Sequence, residues 1–409
     1  MARVFLIIMD SLGIGGAPDA DAYFNNGVPD TGANTLLHIA LGCAHGLANH
    51  GREGPLYLPN LTKLGLGAAL KLACQESAPN LNRAPEGTWG CAQETSRGKD
   101  TPSGHWELAG LPVDWDWHFF PEIDPTFSED LVKLFCETSK SPEILGNCHA
   151  SGTEIINKFG AKHCQNGWPI FYTSEDSVVQ IAGHEETFGL KKLLTICETL
   201  SPELHKMGVG RVIARPFRGQ SLTGFYRTRN RRDYAVSPPK PLLTNWVQNA
   251  GHPVTAIGKI GDIFSMQGID QVLKGTDKSL MKHLSNQVSL APEGSFIFSN
   301  FVEFDSQYGH RRDLAGYACA LEWFDKQIGP ILSKLRADDL MIFTADHGND
   351  PTWIGTGHTR ERVPVLCAGL GRGELGQIKF QDVANLVLNH LDIEQPKSKG
   401  HLYEQKEKA

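Results

Sequence analysis

The sequence predicts an α/β protein whose core is a doubly wound sheet carrying an inserted, smaller α/β domain. Three observations predict this: strand-like apolar runs that end in acidic residues, helix-like stretches between these runs, and an aromatic, proline-bearing interruption in the middle of the chain. A length of 409 residues also exceeds what one compact core of ordinary size holds, which favours a second domain.

The first predicted strand is the N-terminal run "ARVFLIIMDSLGIGG", in which apolar residues follow one another without alternation up to Asp10. Such a run is typical of a parallel strand that is covered on both faces. The same pattern returns in "SFIFSNFVEFD", which ends at Asp305, in "DLMIFTADHGND", which contains Asp346 and His347, and in "RVPVLCAGLG". A helix-like stretch at residues 313–335 completes the alternation expected of a doubly wound sheet.

Two segments mark the borders of the inserted domain. The chain is predicted to leave the first domain in "VDWDWHFFPEIDP" and to return to it in "DYAVSPPKPL". We therefore expect a core built from residues 1–115 and 236–409, and a cap from residues 116–235. The cap contains strand-like "PIFYTS" and "GRVIARPF" and a helix-like "EETFGLKKLLTICETL". The final "EQKEKA" is expected to fray.

The overall composition excludes several classes of function. A hydrophobic content of 40% and a charged content of 21% are ordinary for a soluble protein, and a net charge of −7 argues against a general nucleic-acid binder. The longest early apolar run, Val4 to Met9, is too short for a signal peptide or a membrane span. Nine widely spaced cysteines without a C-x-x-C motif predict reduced thiols in a cytoplasmic protein rather than disulfides or a thiolate zinc site.

Acidic residues and histidines stand at or just after the predicted strand ends. In open α/β sheets, ligands bind beyond the carboxyl ends of the strands, so residues far apart in sequence can meet at one rim. Any one of these residues alone is explained by a turn, a helix cap or a surface histidine. Together they provide ligands for two divalent metals, and a mixed carboxylate and imidazole set suits Mn²⁺ or Zn²⁺ better than Ca²⁺. The set is Asp10, Asp305, His310, Asp346, His347 and His358.

The stretch "GKDTPSGHWE" predicts the start of a helix, with Thr101 at the N-cap and Pro102 at the first helical position. The N–H groups at a helix start favour anions. If this helix end faces the metals, the hydroxyl of Thr101 can act as an activated nucleophile towards phosphorus. Without the metals, a plain capping threonine is the simpler interpretation.

The predicted cap supplies most of the candidate binding residues. Arginine binds phosphate and carboxylate groups in a bidentate manner, so its local density in a negatively charged chain indicates an anionic partner, although a solvated charged face also explains it. Asp176, in "TSEDSV", is a carboxylate beside this basic set, and Lys259 is a further cation near a predicted strand end. The arginines are Arg211, Arg215, Arg227, Arg229, Arg231 and Arg232.

Seven motifs together resemble the phosphopentomutases of the alkaline phosphatase superfamily. They are "MDSLGIG", "GKDTPSGHWE", "GNCHASGT", "FYTSEDSV", "GRVIARPF", "FVEFDSQYGHRRD" and "TADHGNDPT", and with His358 they span nearly the whole chain. The resemblance implies an alkaline phosphatase-like core that binds two Mn²⁺ ions, and a mobile cap. It also implies a monomer that acts on pentose phosphates, has no nucleic-acid or membrane partners and is activated by a sugar bisphosphate.

The resemblance also implies a role for each motif residue. Asp305, His310 and His358 match the ligands of one metal, and Asp10, Asp346 and His347 match those of the other. Thr101 matches the residue that carries the phosphoryl group. Substrate-contacting positions are matched by Asp176, Arg211, Ile213, Arg227 and Lys259. One departure is Gly357, where the family usually has aspartate, and it puts in doubt only the support of His358.

The implied reaction interconverts α-D-ribose 1-phosphate and D-ribose 5-phosphate, and the 2-deoxy pair, through a phosphothreonine and ribose 1,5-bisphosphate. Another phosphatase or phosphodiesterase on the same core is the nearest alternative. A phosphoglycerate mutase of this superfamily would normally use serine and a different inserted domain, and "GRVIARPF" argues against it. A non-catalytic sugar-phosphate or metal-binding module would leave Thr101 and both ligand sets without a purpose.

Overall fold

The structure is a computed structural model that describes residues 2–174 and 176–394, so "EQKEKA" lies outside the described residues. The strands are β1 (Arg3–Met9), β2 (Phe24–Asn25), β3 (Val28–Pro29), β4 (Thr88–Gln93), β5 (Leu145–His149), β6 (Ile170–Thr173), β7 (Val178–His184), β8 (Arg211–Gln220), β9 (Gly224–Arg227), β10 (Arg232–Ala235), β11 (Val254–Ile257), β12 (Gln271–Leu273), β13 (Phe296–Phe301), β14 (Asp339–Thr344), β15 (Val363–Ala368) and β16 (Gly373–Lys379).

Helices alternate with these strands along most of the chain. The α-helices are α1 (Thr35–Ala44), α2 (Pro59–Leu64), α3 (Leu66–Cys74), α4 (Thr101–Leu108), α5 (Glu129–Ser139), α6 (Gly152–Asn166), α7 (Leu190–Lys206), α8 (Leu243–Asn249), α9 (Ile260–Ile263), α10 (Asp277–Leu290), α11 (Leu314–Leu332) and α12 (Gln381–His390). Two 3₁₀ turns cover Ala20–Ala22 and Asp30–Gly32, and two π-helical turns cover Glu185–Gly189 and Phe304–Gly309.

The larger sheet has eight strands in the part of the chain that the structure describes, in the order β12-β11-β13-β1-β14-β15-β4-β16. β1 lies inside it, pairs in parallel with β13 and β14, and is buried at every residue. An apolar run without alternation is what a strand covered on both faces requires. Because these three strands run in the same direction, the residues that follow them emerge at one edge of the sheet.

One strand of this sheet runs in the opposite direction. "RVPVLCAGLG" forms β15, which pairs antiparallel with both β14 and β4. The prediction of an α/β fold is confirmed, but the core sheet is mixed rather than uniformly parallel. A buried apolar run reports that a strand is covered on both faces and carries no information about its direction.

A second sheet of six strands follows the order β10-β8-β7-β6-β5, with β9 paired to β8. All six strands fall within residues 116–235, and two apolar clusters of their own pack on their faces. α7 covers one face, and α6 covers part of the other. Residues 116 and 235 stay predictions as domain borders. Among the described residues, no helix has the length and apolar character needed to cross a bilayer.

Candidate active site

The six residues predicted to bind metals converge at the carboxyl edge of the larger sheet. Asp10 follows β1 directly, and Asp346 and His347 follow β14. Asp305 lies in the π-helical turn after β13, and His310 is the residue that ends this turn. His358 reaches the same place from the loop between β14 and β15. The structure therefore brings together residues from four separate segments, as the strand-end pattern predicts.

The first triad consists of Asp305, His310 and His358. The Nε2 atom of His310 lies 3.1 Å from Oδ2 of Asp305, and Nε2 of His358 lies 3.4 Å from Oδ1 of the same carboxylate. The two Nε2 atoms are 3.2 Å apart. Three potential ligand atoms thus surround one small volume.

The second triad consists of Asp10, Asp346 and His347, all of them buried. Nε2 of His347 lies 3.2 Å from Oδ2 of Asp346 and 3.7 Å from Oδ1 of Asp10. The two triads adjoin, because the imidazole rings of His347 and His358 stack with their centroids 3.8 Å apart. His347 also forms a possible three-ligand group with Asp305 and His358.

The tautomers of the three histidines follow from their backbone contacts. The Nδ1 atoms of His310, His347 and His358 lie 2.7, 3.2 and 2.8 Å from the carbonyl oxygens of Thr356, Gly348 and Lys99. A carbonyl oxygen only accepts hydrogen bonds, so each Nδ1 carries a proton, and Nε2 is the ring nitrogen that each histidine directs towards the carboxylates. The Lys99 carbonyl also orients His358, independently of the side chain that Gly357 lacks.

The donor set fits a pair of cations. Oδ1 of Asp10 is buried and accepts no hydrogen bond from the described residues, and Oδ2 of Asp346 is buried and faces only the imidazoles of His105 and His347. Burial, together with the negative charges of Asp346 and Asp305, raises the pKa of Asp10 well above its ordinary value. Although burial lowers the pKa of His347, the surrounding carboxylates outweigh it and raise that pKa well above the usual range. The centre therefore favours positive charge, which divalent metals on carboxylate and imidazole ligands supply.

Thr101 faces this centre from the start of α4. Its Oγ1 atom lies 3.1 Å from Nε2 of His347, and the residue is only partly buried. The sequence places Thr101 at the N-cap, and this is wrong by one residue. Asp100 is the N-cap, and its Oδ1 accepts a hydrogen bond of 3.0 Å from the Ser103 amide. Thr101 is the first helical residue, so its hydroxyl is not used for capping.

Two neighbouring hydroxyls are occupied elsewhere. Oγ of Ser103 is buried, donates to Oδ2 of Asp100 at 2.8 Å and accepts from the Trp117 indole at 2.7 Å. Oγ of Ser11 is buried and lies 2.9 Å from the Tyr317 hydroxyl. Of these three hydroxyls, that of Thr101 is the one that contacts a metal-ligand candidate and is also partly exposed.

Gly104 explains how α4 comes so close to the metal ligands. A Cβ atom at this position would lie 2.0 Å from the carbonyl oxygen of Asp346. Only glycine allows the helix to pack directly on the backbone of that loop. The central glycine of "TPSGHWE" therefore sets the distance between Thr101 and the second triad.

His105 and Asn300 complete a network that sequence reasoning missed. Nδ1 of His105 lies 2.9 Å from the carbonyl oxygen of Thr101 and 3.1 Å from Oδ2 of Asp346. The side-chain amide of Asn300 donates to Oδ2 of Asp10 at 2.7 Å and faces Nε2 of His105 at 3.1 Å. The histidine lies four residues after Thr101, one helical turn on, which is a signal that the motif contains.

In the cap, Asp176 and Arg211 form an ion pair of 2.8 Å. Partial burial raises the pKa of Asp176, but Arg211 and the nearby His358 and His310 outweigh this and lower it. The carboxylate therefore lies within the electrostatic reach of the first triad. Ile213 is buried two residues along β8 from Arg211, so the two side chains share one face of the strand.

The remaining cations separate into two places. Arg227 lines a cavity in the cap with Arg215 and Arg231. Lys259 is exposed at the start of α9, just after β11, and so lies at the carboxyl edge of the larger sheet. The predicted cationic residues thus lie on both the cap and the core rim.

This chain is similar to known proteins along nearly its full length. A family model described as the metalloenzyme superfamily matches residues 2–395. A phosphopentomutase of Chelativorans sp. (strain BNC1) is 51% identical over 399 residues, which cover 96% of each chain. A phosphopentomutase of Agrobacterium fabrum is 50% identical over 405 residues, which cover 96% of this chain and 98% of the relative.

One solved structure that this chain resembles is a more distant relative. The phosphoglycerate mutase of Leishmania mexicana aligns over 97% of this chain and 96% of its own, with 12% identity and a TM-score of 0.47. The relatives at about half identity are therefore the ones that decide the family. Together with the superfamily match, they show that this chain belongs to the phosphopentomutase family, a family of isomerases within the metalloenzyme superfamily.

Proposed function

We propose that the protein interconverts α-D-ribose 1-phosphate and D-ribose 5-phosphate, and the corresponding 2-deoxyribose phosphates, by way of a phosphorylated Thr101. The observation that carries this proposal is the hydroxyl of Thr101, which is free of capping and lies 3.1 Å from Nε2 of His347. An activated hydroxyl beside two metal-ligand triads suits phosphoryl transfer. The relatives named phosphopentomutase support the same activity.

Two Mn²⁺ ions are the proposed cofactors. Asp305, His310 and His358 would hold one ion, and the other would be held by Asp10, Asp346 and His347. The unpartnered, buried Oδ1 of Asp10 and the three inward-facing Nε2 atoms support this assignment. When bound, such ions neutralise charge on a transferring phosphoryl group and help to hold the attacking and leaving oxygens in line.

Thr101 stores the phosphoryl group between the two halves of the reaction. The free sugar hydroxyl attacks the phosphorus of phosphothreonine and loses its proton, while the bond from phosphorus to Oγ1 breaks. Ribose 1,5-bisphosphate results and turns around, and Oγ1 then takes the other phosphoryl group. The enzyme is phosphorylated again at the end of each cycle, so a sugar bisphosphate is the proposed primer.

The cap residues recognise the part of the substrate that does not react. We assign the ribose hydroxyls to Asp176, the apolar face of the sugar to Ile213, and the non-reacting phosphate to Arg211 and Arg227, with Lys259 on the core rim. Closure of the cap would keep water away from phosphothreonine, which hydrolysis otherwise destroys. We further propose that the enzyme is a cytoplasmic monomer.

The product decides between this function and its alternatives. Ribose 5-phosphate is supplied, and ribose 1-phosphate is detected through a coupled nucleoside phosphorylase. Chelation should abolish the signal and Mn²⁺ should restore it. Release of inorganic phosphate without ribose 1-phosphate would instead indicate a phosphatase.

A second measurement tests the nucleophile. Wild-type enzyme is incubated with a sugar 1,6-bisphosphate and digested, and the phosphorylated peptide is identified. We expect the phosphate on Thr101. Phosphate on Ser103 or Ser11, together with an active Thr101→Ala variant, would require a mechanism based on another hydroxyl.

A further inference from the structure

The cap contains a cavity of about 270 Å³ whose walls are dominated by arginine. Every wall residue comes from one stretch of the chain, and none of them is a candidate metal ligand. We call this cavity the arginine pocket. Its lining residues are Arg215, Pro216, Arg227, Thr228 and Arg231.

The strand register explains why the arginines meet. Arg227 ends β9 and pairs with Phe217 of β8, two residues after Arg215 on the same face of that strand. Arg231 directly precedes β10, which pairs with β8 on the other side. Three cationic side chains from three successive segments are thereby directed to one place, although they repel one another.

Tyr172 and the start of α6 lie next to Arg227, one of the residues that line the pocket. A Cβ atom on Gly152, the first residue of α6, would lie 2.8 Å from the Tyr172 hydroxyl and 3.6 Å from Nη1 of Arg227. The helix start therefore approaches both groups closely. The charges of Arg215, Arg227 and Arg231 all act on this tyrosine, so its hydroxyl lies within the electrostatic reach of the same three side chains.

The pocket carries more positive charge than its own acidic groups balance. Arg231 forms a two-point ion pair with Asp233, with both contacts at 2.6 Å. Arg215 donates to the neutral Gln180 side chain, at 3.0 Å, and forms no ion pair with a carboxylate of the described residues. Burial, and then the charge of Arg231, lower the pKa of Arg215. A partly buried guanidinium without a carboxylate partner is costly unless an anion joins it.

The Tyr172 hydroxyl is a second sign of a missing ligand. Tyr172 is fully buried, and its hydroxyl, which the Arg215 guanidinium influences, donates a hydrogen bond to none of the described residues. Leaving a buried donor without an acceptor destabilises the folded protein. An oxygen of a bound anion would accept this hydrogen bond and pair with the arginines at the same time.

We propose that the arginine pocket binds a phosphate monoester dianion, namely the non-reacting phosphate of the sugar phosphate, and that Arg215, Arg231 and Tyr172 contact it together with Arg227. This inference rests on the proposed function and adds three residues to its substrate contacts. Guanidinium groups match phosphate oxygens in a bidentate manner, and several guanidinium groups around one cavity suit a dianion better than a carboxylate. β10, which directly follows Arg231, contacts α9 of the core, so the pocket lies on the side of the cap that meets the core rim.

Steady-state kinetics on the Mn²⁺-loaded enzyme test the proposal, with ribose 5-phosphate as the substrate. In Arg215→Gln we expect KM to rise on the order of 10- to 100-fold, the usual loss for a charge-assisted hydrogen bond. In Tyr172→Phe, which removes one neutral hydrogen bond, we expect a rise of about 3- to 10-fold. Arg229→Gln is the matched control, because Arg229 is exposed and does not line the pocket. Metal content and the melting temperature should be unchanged in all three variants.

Free inorganic phosphate would bind to the same groups as the phosphate of a sugar phosphate. Calorimetry with inorganic phosphate distinguishes these two ligands. If Arg215→Gln weakens binding of inorganic phosphate but leaves KM for ribose 5-phosphate unchanged, the pocket holds free phosphate and the proposal is overturned. If Arg215→Gln and Tyr172→Phe change neither the KM for ribose 5-phosphate nor the affinity for inorganic phosphate by more than 2-fold, the pocket binds no phosphate and the proposal is again overturned.

If the proposed function itself is wrong, the activity assay of the wild-type enzyme gives a different result. The wild-type enzyme would then not isomerise ribose 5-phosphate at all. Calorimetric titration with ribose 5-phosphate would still test the pocket: weaker binding in Arg215→Gln than in Arg229→Gln supports it, and equal binding overturns it.

Discussion

Replacing Gly104 with alanine tests whether α4 positions the nucleophile. The added Cβ would lie 2.0 Å from the backbone oxygen of Asp346, whereas ordinary van der Waals contact begins at 3.4 Å. Because the obstacle is backbone rather than a flexible side chain, the helix has to withdraw by on the order of 1 Å. Thr101 lies three residues earlier on the same short helix and would withdraw from His347 with it.

The size of the effect follows from this displacement. A shift of about 1 Å in a reacting group costs on the order of 100-fold in rate. An alanine in a helix would otherwise stabilise the fold by about 0.5–1 kcal/mol relative to glycine. We therefore expect Gly104→Ala to lose mutase turnover about 100-fold without gaining stability, because the clash offsets the better helix propensity.

The measurement pairs mutase turnover with thermal unfolding and metal content. Gly329→Ala serves as the control, since Gly329 also lies within a helix, α11, and its added Cβ would meet only the Asn60 side chain at 3.1 Å. That variant should keep its turnover. If Gly104→Ala kept turnover within about 3-fold of wild type, the packing of α4 on the Asp346 loop would not control the nucleophile.

Three further changes test other parts of the site. Thr101→Ala should fold, retain its metals and lose essentially all mutase activity, whereas Thr101→Ser keeps a hydroxyl and should retain some; equal activity in both variants would contradict the assignment. Arg211→Ala should lower kcat/KM by the equivalent of about 2–5 kcal/mol, because a phosphate contact is lost, and should leave metal content unchanged. Burial and the charge of Glu303 raise the pKa of Asp277 to about 7. The folded protein therefore holds this proton more tightly than the unfolded chain does, which stabilises the fold fully below about pH 4. This stabilisation is lost as the pH rises through about 7. In urea unfolding between pH 4 and pH 8, wild type should lose on the order of 4 kcal/mol more stability than Asp277→Asn, and parallel curves would show that Asp277 is not the cause.

The metal-ligand candidates could be predicted because they depend on one general property of sheets. β1, β13 and β14 are buried on both faces, so each is visible as an uninterrupted apolar run with a defined end. The polar residues after such ends share one rim whenever the strands run in parallel. This pattern alone is enough to predict Asp10 and Asp346 as metal-ligand candidates. His358 lies in a loop, and its place in the set is predicted because it follows the strand end that carries Asp346 and His347 by only eleven residues.

The rest of the site depends on contacts that no local pattern encodes. The direction of β15 is set by its partners β14 and β4 and is invisible in its own apolar run. The unpartnered hydroxyl of Tyr172 and the grouping of Arg215 with Arg227 arise from strand register and from the start of α6. A high local number of arginines predicts an anionic ligand. It does not show which arginines share a cavity and which face solvent.

The error of one residue at the start of α4 clarifies why the stretch "GKDTPSGHWE" has its composition. An N-cap side chain must turn back to the helix amides, which would occupy the hydroxyl of a capping threonine. Asp100 takes this role and also binds Ser103 Oγ, so both of these polar groups are satisfied within the stretch. Thr101 is thereby left with a hydroxyl that points to His347 instead of to its own helix.

The last part of the stretch then sets where that hydroxyl lies. Gly104 allows the helix to touch the Asp346 backbone, and His105 ties the Thr101 carbonyl to the Asp346 carboxylate. The helix that carries the proposed nucleophile and the loop that carries Asp346 and His347 are consequently one packed unit. A change at Gly104 or His105 should therefore alter phosphoryl transfer as strongly as it alters packing, although neither residue lies at the reacting oxygen.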